Sequence, residues 1–297
     1  MNIMKKFLLT STLLLVVLAV SAQIKVAPKM KKGDKKVYVA EQTTKVGKTE
    51  AKMTIETLVE VADANADGYV INSTVTDTKV ETDMDDMTGR ILALTTNMLK
   101  NMRTSYATDK NGQVTGILNF ESTKKQTEEM VRKLMDDIKL PDMISKDMLI
   151  QTAMANITEE AMLNGMKMNN SPFALNGKTI SSGTEDEFST KEGIKMKRTF
   201  TVNSDGSIGA SSKINMSLEE MTRMIVDMTS KLVPNQKEEV KQQITQMVQN
   251  GMLKINAKDN ATYTIGADGW VDSITAETYT DSMGQKTTVT SKVRLKK

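Results

Sequence analysis

Between Lys35 and Glu81 apolar residues alternate with polar ones, and Thr and Val dominate. Three such runs follow one another, Lys35 to Lys45, Thr49 to Val61 and Tyr69 to Glu81, separated at Val46-Gly47-Lys48 and Asp67-Gly68. β-branched residues with a period of two, broken by Gly-bearing turns, predict three antiparallel strands. The period then changes. Met87, Ile91, Leu94, Met98 and Met102 recur three or four residues apart, which places them on one face of a helix. Two short strands are expected around Ser105–Thr108 and Val114–Phe120, joined at Asn111-Gly112. Thr123-x-x-Gln126 fits a capping box opening a helix with Val131, Leu134 and Ile138, which ends before Pro141. A further helix is predicted from Ser145 to Met162, with Ile150, Met154, Ile157 and Ala161 on one face.

The same order returns in the second half. Strands are predicted near Lys178–Thr190, Ile194–Val202 and Ser207–Met216. Ser217-x-x-Glu220 is a second capping box, heading a helix with Met221, Met224, Ile225, Met228 and Leu232. Pro234 starts another helix, bearing Val240, Ile244 and Met247 and stopped at Asn250-Gly251. Three strands, near Leu253–Ile265, Trp270–Thr280 and Lys286–Leu295, close the pattern. The halves also share residues: Tyr106, Gly112, Val114 and Ile117 have the same mutual spacing as Tyr263, Gly269, Val271 and Ile274. Ordered agreement of this kind suggests an internal pseudo-duplication. The expected units are residues 33–140 and 177–297, joined by a helical segment, 141–176.

About eleven strands in one antiparallel sheet would curl, and helices with a single apolar stripe must bury it. The expected fold is α+β: a strongly curved antiparallel sheet or open β-barrel with amphipathic helices on its concave face. No Pro-, Gly- or Ser-rich linker divides it, so one domain is expected over 23–297.

The first residues have a different character. Lys5 and Lys6 precede an apolar run, Phe7 to Val20, that closes on Val20-Ser21-Ala22 before Gln23. This is the pattern of a secretory signal peptide cut between Ala22 and Gln23. The run is too short for a spanning helix, and no Cys stands at the cut for lipid attachment. A periplasmic or secreted protein is expected, with no transmembrane segment in its mature form. Without Lys5 and Lys6 the chain has 38 basic and 37 acidic residues, a net charge of +1. Such a balance disfavours nucleic acid as a partner held by bulk charge. There is no Cys and no His. Catalytic triads, Cys–His pairs and His-based zinc sites are therefore excluded, and no cofactor motif is present. An enzyme is not expected. Aromatics are 4% of the chain, too few for stacking grooves that hold sugars or single strands.

The layout resembles the Lol-type lipoprotein-carrier fold, an open barrel with a helical lid. It is also similar to secreted proteins of Gram-negative bacteria that open on a KKGDKKVY-like strand. Those continue to a DADG-like turn and close on Y-x5-G-W-V-x2-I. The matching residues are Lys31 to Tyr38, Asp63 to Gly68, and Tyr263 to Ile274. The resemblance implies a fold more than an activity, since these are turn and strand residues. The Lol carrier's ligand-facing arginine has no assigned counterpart, so cargo identity does not carry over.

Methionine is unusually abundant, at 24 residues. On helix stripes it serves as core, or as a pliable lining for apolar ligands of varied shape. The candidate ligand-lining set is Met87, Ile91, Met98, Met102, Met154, Met221, Met224 and Met228. Met162, Met166 and Met168, with Met84 and Met87, raise the alternative of thioether ligands for copper(I). Asp63, Asn65 and Asp67, with the Tyr69 carbonyl, have the spacing of a calcium loop's first half. Thr74 stands where such a loop needs Glu, and Asp, Asn and Gly are also ordinary turn formers. The paired acids Glu128-Glu129, Asp136-Asp137 and Glu159-Glu160 read as solvated helix faces. An apolar ligand, a lipid or acyl chain, is the leading expectation. A protein partner in the cell envelope is the alternative, and calcium or copper binding a weaker one. Oligomeric state is not legible.

Overall fold

The structure is a computed structural model. It describes residues 23–83, 87–137, 146–155, 157–190, 193–232, 237–249, 255–282 and 285–296. The signal segment, Met84, Ile138, Pro141, Pro234 and Asn250-Gly251 lie outside the described residues, as do the side chains of Met87 and Met228.

The Thr- and Val-rich runs form one open antiparallel sheet of eleven strands. In chain order these are β2 (Lys35–Val46), β3 (Thr49–Ala64), β4 (Gly68–Thr82), β5 (Arg103–Asp109), β6 (Val114–Ile117), β8 (Glu185–Ser189), β9 (Lys195–Val202), β10 (Ile208–Ile214), β11 (Ile255–Ile265), β12 (Val271–Ser282) and β13 (Gln285–Leu295). Across the sheet the order is β6-β5-β4-β3-β2-β13-β12-β11-β10-β9-β8. A separate two-stranded ribbon pairs β1 (Ile24–Lys25) with β7 (Thr179–Ile180). The expected strand 178–190 is thus two strands, because the Ser181–Thr184 turn, closed by Thr184 N–H to the Ser181 carbonyl, moves the chain from ribbon to sheet. The order β6 to β2 is repeated by β12 to β8, with β13 between the two runs. In each, a Tyr on the fourth strand of the run pairs with an Ile on the fifth: Tyr106 with Ile117, and Tyr263 with Ile274.

The helices are α1 (Met87–Met98), α2 (Phe120–Asp137), α3 (Lys146–Ala155), α4 (Glu159–Met166), α5 (Leu218–Leu232) and α6 (Lys237–Gln249). α1 packs on β4, α2 on β5 and α4 on β6, while α2, α3, α5 and α6 continue as neighbours in a row. The Ser217 box forms as expected. Glu220 N–H donates to Ser217 Oγ (3.1 Å) and Ser217 N–H to Glu220 Oε2 (2.9 Å). The Thr123 box does not. α2 starts at Phe120, Thr123 lies one turn inside it, and its buried Oγ1 has no hydrogen-bond partner among the described residues. Asn119 occupies the boundary instead, accepting from Ser105 N–H and donating to the Arg103 carbonyl, which ties the helix start to β5. The expected helix 145–162 is also two helices. Thr158 is an N-cap, accepting from Ala161 N–H (3.1 Å), so α4 begins afresh.

Strand alternation gives the sheet one apolar face. Tyr38, Val59, Val61, Ile71, Tyr106, Phe200, Ile208, Tyr263, Ile274 and Val293 all lie on it and are buried. Each such side chain contributes roughly 1.5–3 kcal/mol through its burial. This core lies toward the sheet end that carries the β5–β6 and β11–β12 turns. The segment Val26 to Met30 straps that end. Lys29 N–H donates to the Asp268 carbonyl, and Val26 exchanges hydrogen bonds with Gly177 and Lys178. Gly112 and Gly269, both at φ near +80°, sit against the strap. A Cβ on Gly269 would lie 2.5 Å from the Ala27 carbonyl oxygen, and one on Gly112 would lie 2.8 Å from Pro28 Cγ. Toward the opposite end the same-face residues Gln42, Thr44, Met53, Ile55 and Val289 are only half-buried.

Candidate functional site

The core at the strap end is completed by a plug rather than by the sheet alone. After α4, residues 167–178 run as successive tight turns, with Ser171 N–H bonded to the Met168 carbonyl, Ala174 to Ser171 and Asn176 to Phe173. This stretch carries no helix or strand period, but it presents Phe173, Ala174 and Leu175 to the sheet, and Ile180 follows on β7. The Phe173 ring meets Tyr106 at 6.2 Å between centroids. The plug reaches both free sheet edges. On one side Asn176 donates to the Gly112 carbonyl (3.0 Å), and Glu159 Oε1 accepts from Ile117 N–H on β6 (2.9 Å). Glu159 is therefore an edge cap, not merely part of a wet face.

On the other side the plug is held by a buried polar cluster. Arg198, fully buried on β9, is bidentate to Asp186 on β8, through Nε to Oδ1 at 2.8 Å and Nη2 to Oδ2 at 2.7 Å. Its Nη1 donates to the Lys167 carbonyl (3.0 Å) and to Asn169 Oδ1 (2.8 Å). The guanidinium lies over Phe188 and Phe200, 4.7 and 4.9 Å from their ring centroids. Asn169 in turn donates to Ser212 Oγ and to Asp259 Oδ2, its carbonyl accepts from the Tyr263 hydroxyl, and Thr278 donates to Asp259 Oδ1. Burial pushes Asp259 above the ordinary carboxylate range, against the hydrogen bonds from Thr278 and Asn169. Burial would also raise Asp186, but the hydrogen bonds and charges of Arg198 and Lys178 outweigh it and hold that carboxyl low.

Between plug and sheet lies a partly open pocket of about 270 Å³. Tyr38, Ala40, Val59 and Val293 line it from the sheet, Met166 from the end of α4 and Phe173 from the plug. It lies where the fully buried half of the inner face gives way to the half-buried one. Tyr38, whose hydroxyl donates to the Val271 carbonyl (2.9 Å), is pushed far above its ordinary range by burial, with Asp268 and Asp272 adding to the shift.

The structure distributes the expected ligand-lining residues differently. Met98 and Met102 lie together, with Met130, in a separate surface groove beside α2. Ile91 on α1, Met154 on α3 and Met224 on α5 are half-buried, and Met221 on α5 is buried. None of these lines the pocket; the methionine that does is Met166. The calcium-like sequence forms a turn. Asp63 pairs with Lys32 (3.1 Å), and Asn65 Oδ1 accepts the amides of Asp67 and Gly68. Among the described residues no three acidic, His or Cys side chains are grouped to hold a metal ion.

Fold and site together define an open antiparallel sheet with its inner face half filled by a latched plug and a pocket left at the boundary. No protein-family model and no curated protein matches the chain. Among solved structures, the chain is similar to lipovitellin, in a structure concerned with lipid–protein interactions in that protein, with a TM-score of 0.42 and 9% sequence identity. The match covers 90% of this chain and 25% of the lipovitellin chain, so this chain spans about a quarter of that protein's length. At that score the likeness carries no functional weight.

Proposed function

We propose that the protein binds or carries an apolar ligand, a lipid or acyl chain, without catalysing a reaction on it. The observation behind this reading is the pocket between sheet and plug. Its volume is close to the lower end for small-molecule sites, its lining is largely apolar, and half-buried inner-face residues continue beyond it. The basic start, apolar run and Ala22-Gln23 junction support export to the periplasm or beyond. The matching strand orders and the Tyr–Ile pairs support an origin of the two halves as copies. Among the described residues no helix is long and apolar enough to cross a membrane.

The test uses the mature chain purified from its own compartment. Native mass spectrometry should reveal a bound acyl species, and the stripped protein should bind N-phenyl-1-naphthylamine. Ala40→Phe, which fills the pocket from β2, should abolish both while leaving the urea midpoint near wild type. A purely apo mass together with no probe binding by the wild type would sink the reading. An interaction protein with a filled interior is then favoured. The close packing of Ile71, Phe200, Ile208 and Tyr263 at the strap end already suits that alternative.

A further inference from the structure

Resting on the apolar-ligand reading, we propose that the occupant is a long-chain carboxylate whose head group lies at Lys167 and Lys178. A second, smaller cavity of about 50 Å³ sits between the plug and the β6 edge. It shares Met166 and Phe173 with the first pocket, so these two side chains form the wall between them. Phe173 is fixed in the core against Tyr106. Met166 is half-buried at the margin of the core, takes a long contact from Ser171 Oγ to its Sδ (3.9 Å), and is unbranched. A change of rotamer at Met166 joins the cavities into one passage.

Polarity changes along that passage. The larger cavity is mostly apolar, with Tyr38, Ala40, Val59 and Val293 beside Thr57, Ser73, Asn170 and Ser171, whereas the smaller one adds Gln113, Asn176, Lys167 and Lys178. The charges at the smaller cavity are unequal. Lys178 Nζ lies 2.7 Å from Asp186 Oδ2, but Asp186 is already bidentate to Arg198. Lys167 is exposed and makes no ion pair among the described residues. Lys178 and Arg198 thus share the one carboxylate of Asp186, and Lys167 is left without an ion partner among the described residues. A mostly apolar passage ending at an ammonium with no ion partner among the described residues suits an amphiphile with one chain and an anionic end.

The experiment compares hexadecanoate with its methyl ester, titrated against the stripped full mature chain by displacement of N-phenyl-1-naphthylamine. The acid should bind about tenfold more tightly than the ester, the size expected for one charge-assisted contact. Lys167→Glu, at an exposed position, should remove that preference. Equal binding of acid and ester by the wild type, or an acid preference that survives Lys167→Glu, overturns the head-group assignment while the pocket stands. Binding of neither overturns the head-group assignment and the apolar-ligand reading together.

Discussion

The Arg198–Asp186 pair should respond asymmetrically to mutation. Asp186→Ala leaves a fully buried guanidinium with only two neutral acceptors, the Lys167 carbonyl and Asn169 Oδ1. Stranding a buried charge in this way costs about 4 kcal/mol. Arg198→Met strands the other partner, but less severely. The Asp186 side chain retains 19% exposure and a second cation, Lys178, at 2.7 Å. Met also keeps a polarizable side chain against Phe188 and Phe200, so about 2 kcal/mol is expected. With a urea m-value of about 3 kcal/mol/M, these losses lower the midpoint by about 1.3 M and 0.7 M respectively. The double variant removes both charges and should be more stable than Asp186→Ala alone. The pH dependence has a defined sign. Asp186 is held below its usual value of 3.8, so its ionised form stabilises the fold above that pH, and the contribution is lost as pH falls through the depressed value. The gap between wild type and Asp186→Ala should therefore persist at pH 5 and close only in strong acid. Equal losses for the two single variants, or a double variant weaker than Asp186→Ala, would refute the reasoning.

Asp259 should behave in the opposite sense. Its carboxyl is raised above 3.8 by burial, so ionising it costs more in the folded than in the unfolded chain, and stability falls as pH climbs above 3.8 through the raised value. Asp259→Asn can still accept from Asn169 while donating to Thr278 Oγ1; its urea midpoint relative to wild type should rise between pH 4 and pH 7, and a constant difference would contradict this. Gly269→Ala places a Cβ 2.5 Å from the Ala27 carbonyl at a positive φ, so it should cost about 2 kcal/mol. Faster amide exchange at Val26 and Lys29 should accompany that loss if the strap is what yields.

The strand layer was legible in the sequence because alternation and turn glycines act locally. Each of the predicted hairpins forms, and Ser217–Glu220 caps its helix as its spacing requires. Thr123-x-x-Gln126 has the same spacing but fails, because Asn119 is already committed to the backbone of β5. That tertiary tie sets the helix start, and no local motif reports it. The plug at 167–178 was hidden for a related reason: turns bonded within themselves leave no period. Arg198 was within reach. Met196, Arg198, Phe200 and Val202 share one strand parity, which puts the arginine on the apolar face and demands a buried partner. The methionine stripes marked helix faces correctly but could not show that the helical row lies apart from the pocket.

The pairing of β2 with β13 has a consequence for how the molecule forms. Tyr38 opposes Leu295 and Val46 opposes Thr287, so strands from the two extremes of the described chain meet in the middle of the sheet. Neither five-strand run can complete its inner layer before β13 arrives. Closing a loop of that length is a slow, non-local event. The half-sheets must therefore wait for each other, leaving two unpaired inner edges on the partly folded chain. Its most aggregation-prone species should be the one lacking only its last strand.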